Sequence, residues 1–180
     1  MGRKKNIDRE MLLDLAEDIV RTKGAASLTI EALARTAGIT KGGVQYTFAS
    51  KAALIESIGT RWLSRYEELL EHHVGPAPTP VERVKGHVAA TFEDENSADG
   101  KAASVMTMLM QTPEFLQGTR EWYRDKLENV DTTTSEGRMA RLAFLAAEGA
   151  FYLRFLRLME IDDAQWAAIY QDINVQLLER

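Results

Sequence analysis

Residues 29–51 read Thr-Ile-Glu-Ala-Leu-Ala-Arg-Thr-Ala-Gly-Ile-Thr-Lys-Gly-Gly-Val-Gln-Tyr-Thr-Phe-Ala-Ser-Lys. Thr29 is placed to cap a helix whose apolar positions are Ile30, Leu33, Ala34 and Ala37. Gly38 supplies the positive φ that a tight helix exit needs. Thr40 then caps a shorter helix running from Lys41 to about Thr47. Two short helices joined by a glycine turn cross steeply and share a small core, here Leu33, Ala34, Ile39, Val44 and Phe48. The outer face of the second helix carries no apolar residue and presents Lys41, Gly42, Gly43, Gln45, Tyr46 and Thr47. These are the small, hydrogen-bonding or cationic groups that a helix lying in a major groove requires. Each opening glycine costs about 1 kcal/mol of helix propensity against alanine, a cost that makes sense where another backbone approaches closely. An ordinary helical corner would give no reason for an outer face so polar and so poor in acids.

The same 3.6-residue period extends both ways from this stretch. Asp8 caps a first helix to Lys23, with Leu12, Leu15, Ala16, Ile19 and Val20 on one face and Gly24 closing it. Ser50 caps a long fourth helix running to about His72. Val74 to Pro80 holds three of the four prolines and reads as a linker. Thr79-Pro80 starts a fifth helix with Val81, Val84, Val88 and Phe92 inward, and residues 93–100 read as an acidic loop. A methionine-rich helix covers 101–111, and Thr112-Pro113 opens the next, to about Asn129. Two last helices run from about Ser135 to Met159 and from about Asp162 to Glu179. The expected fold is therefore all-α, with about nine helices. Residues 1–50 form a three-helix helix-turn-helix domain for DNA, the fourth helix (50–72) connects, and 73–180 form a helical effector-binding and dimerisation domain.

The stretch resembles the TetR family of bacterial transcriptional regulators. The matching positions are Thr29, Ile30, Leu33, Ala34, Ala37, Gly38, Ile39, Thr40, Lys41, Gly42, Phe48, Ser50, Lys51 and Leu54, at fixed spacing and without a gap. The resemblance is detailed over roughly residues 8–60 and beyond them rests on length and helical layout. One departure stands out. The family usually has Tyr three residues before the Phe, where this chain has Gln45; Tyr46 follows, where His is common. By resemblance and by chemistry, Thr29, Thr40, Tyr46, Thr47 and Lys51 are expected on phosphates, with main-chain donors at the helix N-termini near Thr29 and Thr40. Gly42 belongs to the same surface, and Lys41, Gly43 and Gln45 face base edges; Gln can bond an adenine bidentately. Arg3, Lys4 and Lys5 form either a DNA-contacting arm or a solvated tail.

In the C-terminal half, Leu142 to Leu153 is apolar all round a helix apart from Glu148. Such a helix is buried on more than one side, against a second copy of the chain or within one larger core. An isologous dimer is expected to use Ala143, Ala146, Ala150 and Leu153 with Trp166, Ile169, Tyr170, Ile173 and Leu177. Two-fold symmetry would set the reading helices about 34–36 Å apart on a palindromic operator. Phe92, Met106, Met110, Phe115, Trp122, Tyr123, Phe144, Glu148 and Tyr152 are candidate lining for an apolar or aromatic small-molecule effector, or plain core packing. Glu148 would pair with a cationic ligand, or with Arg141 or Arg154 across the dimer.

Composition agrees with this division of labour. The net charge is −5, yet residues 1–66 carry 11 basic and 7 acidic residues while 67–180 carry 11 and 20. Phosphates respond to that local +4, because charges farther than about 8–10 Å are screened. Cysteine is absent, which removes disulfides, thiol chemistry and Cys-based zinc sites. His72 and His73 are neighbours and point about 100° apart on a helix, so no metal site is expected. No Gly-rich phosphate loop or nucleophile motif suggests an enzyme, and no cofactor is implied. Without a spanning segment or secretory signal, the expected location is the cytoplasm. The reading is a ligand-responsive DNA-binding regulator, most simply a repressor; the alternative is a DNA-binding or architectural protein without an effector.

Overall fold

The structure, a computed structural model, describes residues 8–93 and 102–179. Among them are nine α-helices and no strand: α1 (Arg9–Lys23), α2 (Ile30–Ala37), α3 (Lys41–Thr47), α4 (Lys51–His73), α5 (Pro80–Glu93), α6 (Ala102–Met110), α7 (Pro113–Leu127), α8 (Ser135–Phe155) and α9 (Asp163–Ile173). None is long and apolar enough to cross a membrane. Local chemistry sets most of the boundaries. Asp8 caps α1 and Thr134 caps α8, each accepting from backbone N–H groups of the first turn. Thr79 and Glu82 exchange side-chain-to-backbone bonds at the start of α5, as Asp162 and Gln165 do at α9. Gly38 closes α2 at φ 66°, ψ 33°, a left-handed conformation that a β-carbon disfavours. Two helices end sooner than their periodicity suggests. The chain leaves α8 at Phe155 and turns through Arg157 at φ 55°, while α9 passes at Asn174 into a π-helical turn to Leu178.

The chain divides into two compact units, and the division falls inside α4 rather than at the proline-rich linker. The first unit comprises residues up to Trp62 together with Ser104–Phe115. Its core joins Leu12, Leu13, Ala16, Ile19 and Val20 of α1 to Leu33 and Ala34 of α2, Val44 of α3 and Leu54, Ile55 and Ile58 of α4. The expected small core of the corner is present, with Val44 fully buried, Phe48 nearly so and Ile39 at its edge. Val105, Met108 and Leu109 of the methionine-rich helix complete the same cluster. Gly59 permits that approach, since a β-carbon there would lie 2.7 Å from the Phe115 ring and 3.4 Å from Leu109. Arg61, with a side chain only 9% exposed, ties α4 to α1 through Glu10, Asp14 and Glu17, and Trp62 Nε1 donates to Glu17.

The second unit comprises 63–93, 102–103 and 116–179 of the described residues. There α5 packs on α8, with Val84, Val88, Ala140, Ala143, Phe144 and Ala147 at the centre and Ile173 and Leu178 closing one side. Apart from Phe144 the central stripe of α8 is alanine, at 140, 143 and 147, which lets the two helix backbones come close.

Candidate nucleic-acid interface and effector site

α3 is seven residues long and its two faces differ sharply. Val44 points inward and is fully buried, while Lys41, Gly42, Gln45 and Tyr46 are exposed, Tyr46 to 90%. Positions 41 and 45, and 42 and 46, are one turn apart, so these four residues form one contiguous outer surface. Gly43 and Thr47 border it, half-buried. Thr40 Oγ1 accepts the Gly43 N–H at 3.1 Å and Thr29 Oγ1 accepts the Ala32 N–H at 3.0 Å. Each threonine thus fixes a helix N-terminus whose remaining first-turn N–H groups lack intrahelical acceptors and attract anions. Lys51 stands exposed on the first turn of α4, whose Ser50 hydroxyl accepts from Ala53 N at 3.1 Å. Arg3, Lys4 and Lys5 lie outside the described residues.

One acidic group does sit on this surface. Glu31, in the first turn of α2, meets Lys41 Nζ at 2.5 Å, and that ammonium lowers the Glu31 carboxyl below its ordinary range. In the free protein, the lysine expected on a base edge is therefore engaged by its own chain.

The nine candidate effector residues divide between the two units. Met106, Met110 and Phe115 belong to the first unit, beside the Val105, Met108 and Leu109 of its core. Phe92 packs on Trp166 and Tyr170, with ring centroids 4.1 and 5.1 Å apart. Trp122, Tyr123, Phe144, Glu148 and Tyr152 do come together in the second unit, around a residue the sequence reading passed over. That residue is His87, 1% exposed, stacked on Phe144 at 4.4 Å and flanked by Trp122 at 5.6 Å and Tyr66 at 5.8 Å.

A chain of hydrogen bonds runs through this cluster. His87 Nε2 bonds Glu148 Oε1 at 2.8 Å, Tyr123 donates to Glu148 Oε2 at 2.5 Å, and the Tyr123 and Tyr152 hydroxyls are 2.9 Å apart. A carboxylate only accepts, so His87 Nε2 donates to Glu148; Nδ1 lies 2.8 Å from the Tyr66 hydroxyl, which also donates to the His87 carbonyl at 3.3 Å. Thr91 Oγ1 donates to the His87 carbonyl at 2.8 Å. Burial first, then the Glu148 charge, raise the Tyr123 hydroxyl far above an ordinary phenol, so it stays a donor. Burial likewise raises Tyr152, with Glu148 adding to it and the bond to Tyr123 opposing. Within the protomer Arg154 bonds Asp163 at 2.6 Å and lies over the Trp166 ring, and Arg141 is exposed.

Residues 12–58 match the family of bacterial regulatory proteins called tetR, and residues 81–177, more than half of the chain, match the tetracyclin repressor-like C-terminal domain. The chain belongs to the TetR family. It is 30% identical over 89 residues to the HTH-type transcriptional repressor KstR2 of Mycolicibacterium smegmatis, covering 47% of this chain and 42% of that protein. It thus spans less than half the length of that curated relative. SmeT, the repressor of the Stenotrophomonas maltophilia multidrug efflux pump SmeDEF, has the same fold, with a TM-score of 0.69 at 18% identity over 95% of this chain and 90% of that one. So does the multidrug binding protein EbrR complexed with malachite green, with a TM-score of 0.65 at 15% identity over 95% and 98% of the two chains.

In this TetR-family chain the residues expected between two copies are placed unevenly. Ala143, Ala150, Trp166 and Ile173 are buried within the protomer. Leu153, Ile169, Tyr170 and Leu177 are half-buried, the last three against that core. Ala146 is exposed, and it lies on a stripe the sequence did not single out: Leu142, Leu145, Ala146 and Gly149 on α8. Ala164, Ala167, Ala168 and Val175 form a similar exposed stripe along α9 and its π-helical end.

The missed histidine had a signal. Val84, His87, Val88 and Thr91 stand at i, i+3, i+4 and i+7, so two polar residues occupy the inward stripe of α5. A polar residue buried on one helix and a lone glutamate on an apolar helix need partners, and each supplies the other's.

Proposed function

We propose that this TetR-family chain is a ligand-responsive repressor, a cytoplasmic homodimer that holds a palindromic operator through two α3 helices and releases it when a small molecule occupies the second unit. The observation that carries the DNA half is the outer surface of α3: Lys41, Gln45 and Tyr46 exposed together over a glycine-opened N-terminus, with Thr29, Thr40, Thr47 and Lys51 bordering it. Lys41, Gly43 and Gln45 read base edges, and the threonines, Tyr46 and Lys51 hold phosphates. The exposed stripes of α8 and α9 pair with their symmetry mates and set the spacing of the two reading helices. The sensing half is supported by the aromatic cluster around His87 and Glu148, and by the similarity to a repressor and to a multidrug binding protein solved with its ligand. Ligand acts by differential affinity for two arrangements of the dimer, typically worth about 1–3 kcal/mol of coupling.

Fluorescence anisotropy on duplexes from the region upstream of its own gene tests the DNA reading. Lys51→Ala should weaken binding to all sequences about equally, whereas Gln45→Ala should relax preference at one base position by about 1–3 kcal/mol. Equal loss across unrelated sequences for Gln45→Ala would contradict base readout there.

A further inference from the structure

Arg9 opens α1, and its side chain is 52% exposed. Its guanidinium carbon stands 5.5 Å from the centroid of the Phe48 ring. Phe48 is the residue that ends α3; Thr47 precedes it and Lys51 follows three positions on. A guanidinium over an aromatic face is held in one place by its attraction to the ring, with N–H groups left along its edge. Arg9 therefore stands at the junction of α3 and α4, although it comes from α1.

That cation is weakly engaged by its own chain. Among the described residues its hydrogen-bond partner is Glu10, 3.3 Å from Nη1, which is longer than the ~2.7–2.9 Å of a strong charge-assisted bond. Glu10 is also drawn elsewhere, since its other oxygen faces Arg61 at 3.3 Å. Asp8 directs its carboxylate to the N–H groups of Glu10 and Met11, at the start of the helix. A guanidinium carries five N–H donors, so most of those on Arg9 are open to an anion. The end of α3 is a place where an anion would come. Seven residues of helix span about 10 Å, close to the ~12 Å width of a major groove. A helix crossing the groove brings its two ends towards the two backbones that wall it. Thr40 stands at the first end of α3, and Arg9 and Lys51 stand at the other.

We infer that Arg9 is a DNA-backbone residue: stacked on Phe48, it grips with Lys51 the phosphates at the C-terminal end of α3. This rests on the DNA reading above and adds a contact from α1, with Phe48 as its platform. Such a contact strengthens binding to every sequence and reads none, because phosphates carry no sequence information.

The test uses the full-length protein and fluorescence anisotropy on two labelled duplexes, one from the region upstream of its gene and one of scrambled sequence, from about 50 to 200 mM salt. Arg9→Gln should weaken both duplexes alike, by about tenfold at the low-salt end, the scale of one charge-assisted hydrogen bond. Its log–log salt dependence should be shallower than wild type by about 0.9 for each protomer bound. Arg9→Lys keeps the charge and loses the planar fork, so it should hold the salt dependence and lose less affinity than Arg9→Gln. Phe48→Leu keeps an apolar side chain in the core and removes the ring. In protein shown to be folded by circular dichroism, it should weaken binding in the wild-type background and add nothing to Arg9→Gln; a full further loss there overturns the platform. Unchanged affinity and salt dependence in Arg9→Gln, with Lys51→Ala still weakening both duplexes, overturns the Arg9 contact and leaves the DNA reading standing. A loss confined to the upstream duplex overturns the backbone assignment in favour of base readout. Wild-type protein that binds neither duplex overturns the DNA reading together with the contact.

Discussion

Replacing Gly42 by alanine should make this protein more stable and a poorer DNA binder at once. Gly42 is exposed in the first turn of α3, and a β-carbon built there meets only Thr40 Oγ1, at 3.9 Å, an ordinary contact. Nothing in the chain itself asks for glycine. Alanine should therefore recover most of the helix propensity that glycine forgoes, about 0.5–1 kcal/mol. For a chain of this size that raises Tm by roughly 1–4 °C. A duplex pressed against the start of α3 would meet the new methyl group. Forcing one methyl into a packed contact costs about 1–3 kcal/mol, so affinity should fall by roughly five- to 150-fold. Urea unfolding followed by far-UV circular dichroism reads the first quantity, and anisotropy on a labelled duplex from the region upstream of its gene reads the second. Gly118, exposed on α7 with nothing within 4 Å of its built β-carbon, is the matched control: Gly118→Ala should gain similar stability and leave DNA affinity alone. Unchanged DNA affinity in Gly42→Ala would remove the reason for a glycine at 42 and, with it, the claim that α3 lies against DNA.

Three further outcomes follow from the same geometry. Glu31→Gln should release Lys41 and tighten binding to any duplex severalfold, steepening the log–log salt dependence by about one unit; the gain should vanish in a Lys41→Gln background, and its persistence there would show a general charge effect instead. Gly137→Ala should destabilise by about 1–3 kcal/mol in urea unfolding despite its helix propensity, because the new β-carbon would sit 2.0 Å from the Asp131 carbonyl oxygen; equal or greater stability would refute that packing. Leu145→Asp, at a side chain 56% exposed, should give a folded monomer by sedimentation and circular dichroism, whereas a persistent dimer would move the interface off the outer stripe of α8.

What could be read from the chain, and what could not, follows from how far each interaction reaches. The corner of α2 and α3 is local: Thr29 and Thr40 bond N–H groups three residues on, Gly38 takes its left-handed turn, and Val44 and Phe48 answer Leu33 within one short stretch. Period and capping therefore suffice there. α8 is different because it is apolar all round, and a pattern without a polar face cannot say which side meets which partner. The small residues Ala143 and Ala150 were expected between two copies, yet they pack inside, and large Leu142 and Leu145 stay out. The cause is α5, which packs on α8 and is served best by a stripe of small side chains. α6 fails the same way: a nearly continuous apolar run holds no sign that Val105 and Leu109 belong with α1 and α4. His87 and Glu148 are 61 positions apart, so no local pattern joins them. Each is nevertheless out of place by itself, a polar group on a helix side that should be apolar. Two such misfits on helices long enough to pack together are a contact waiting to be tested. In this chain that contact is the polar centre of the second unit.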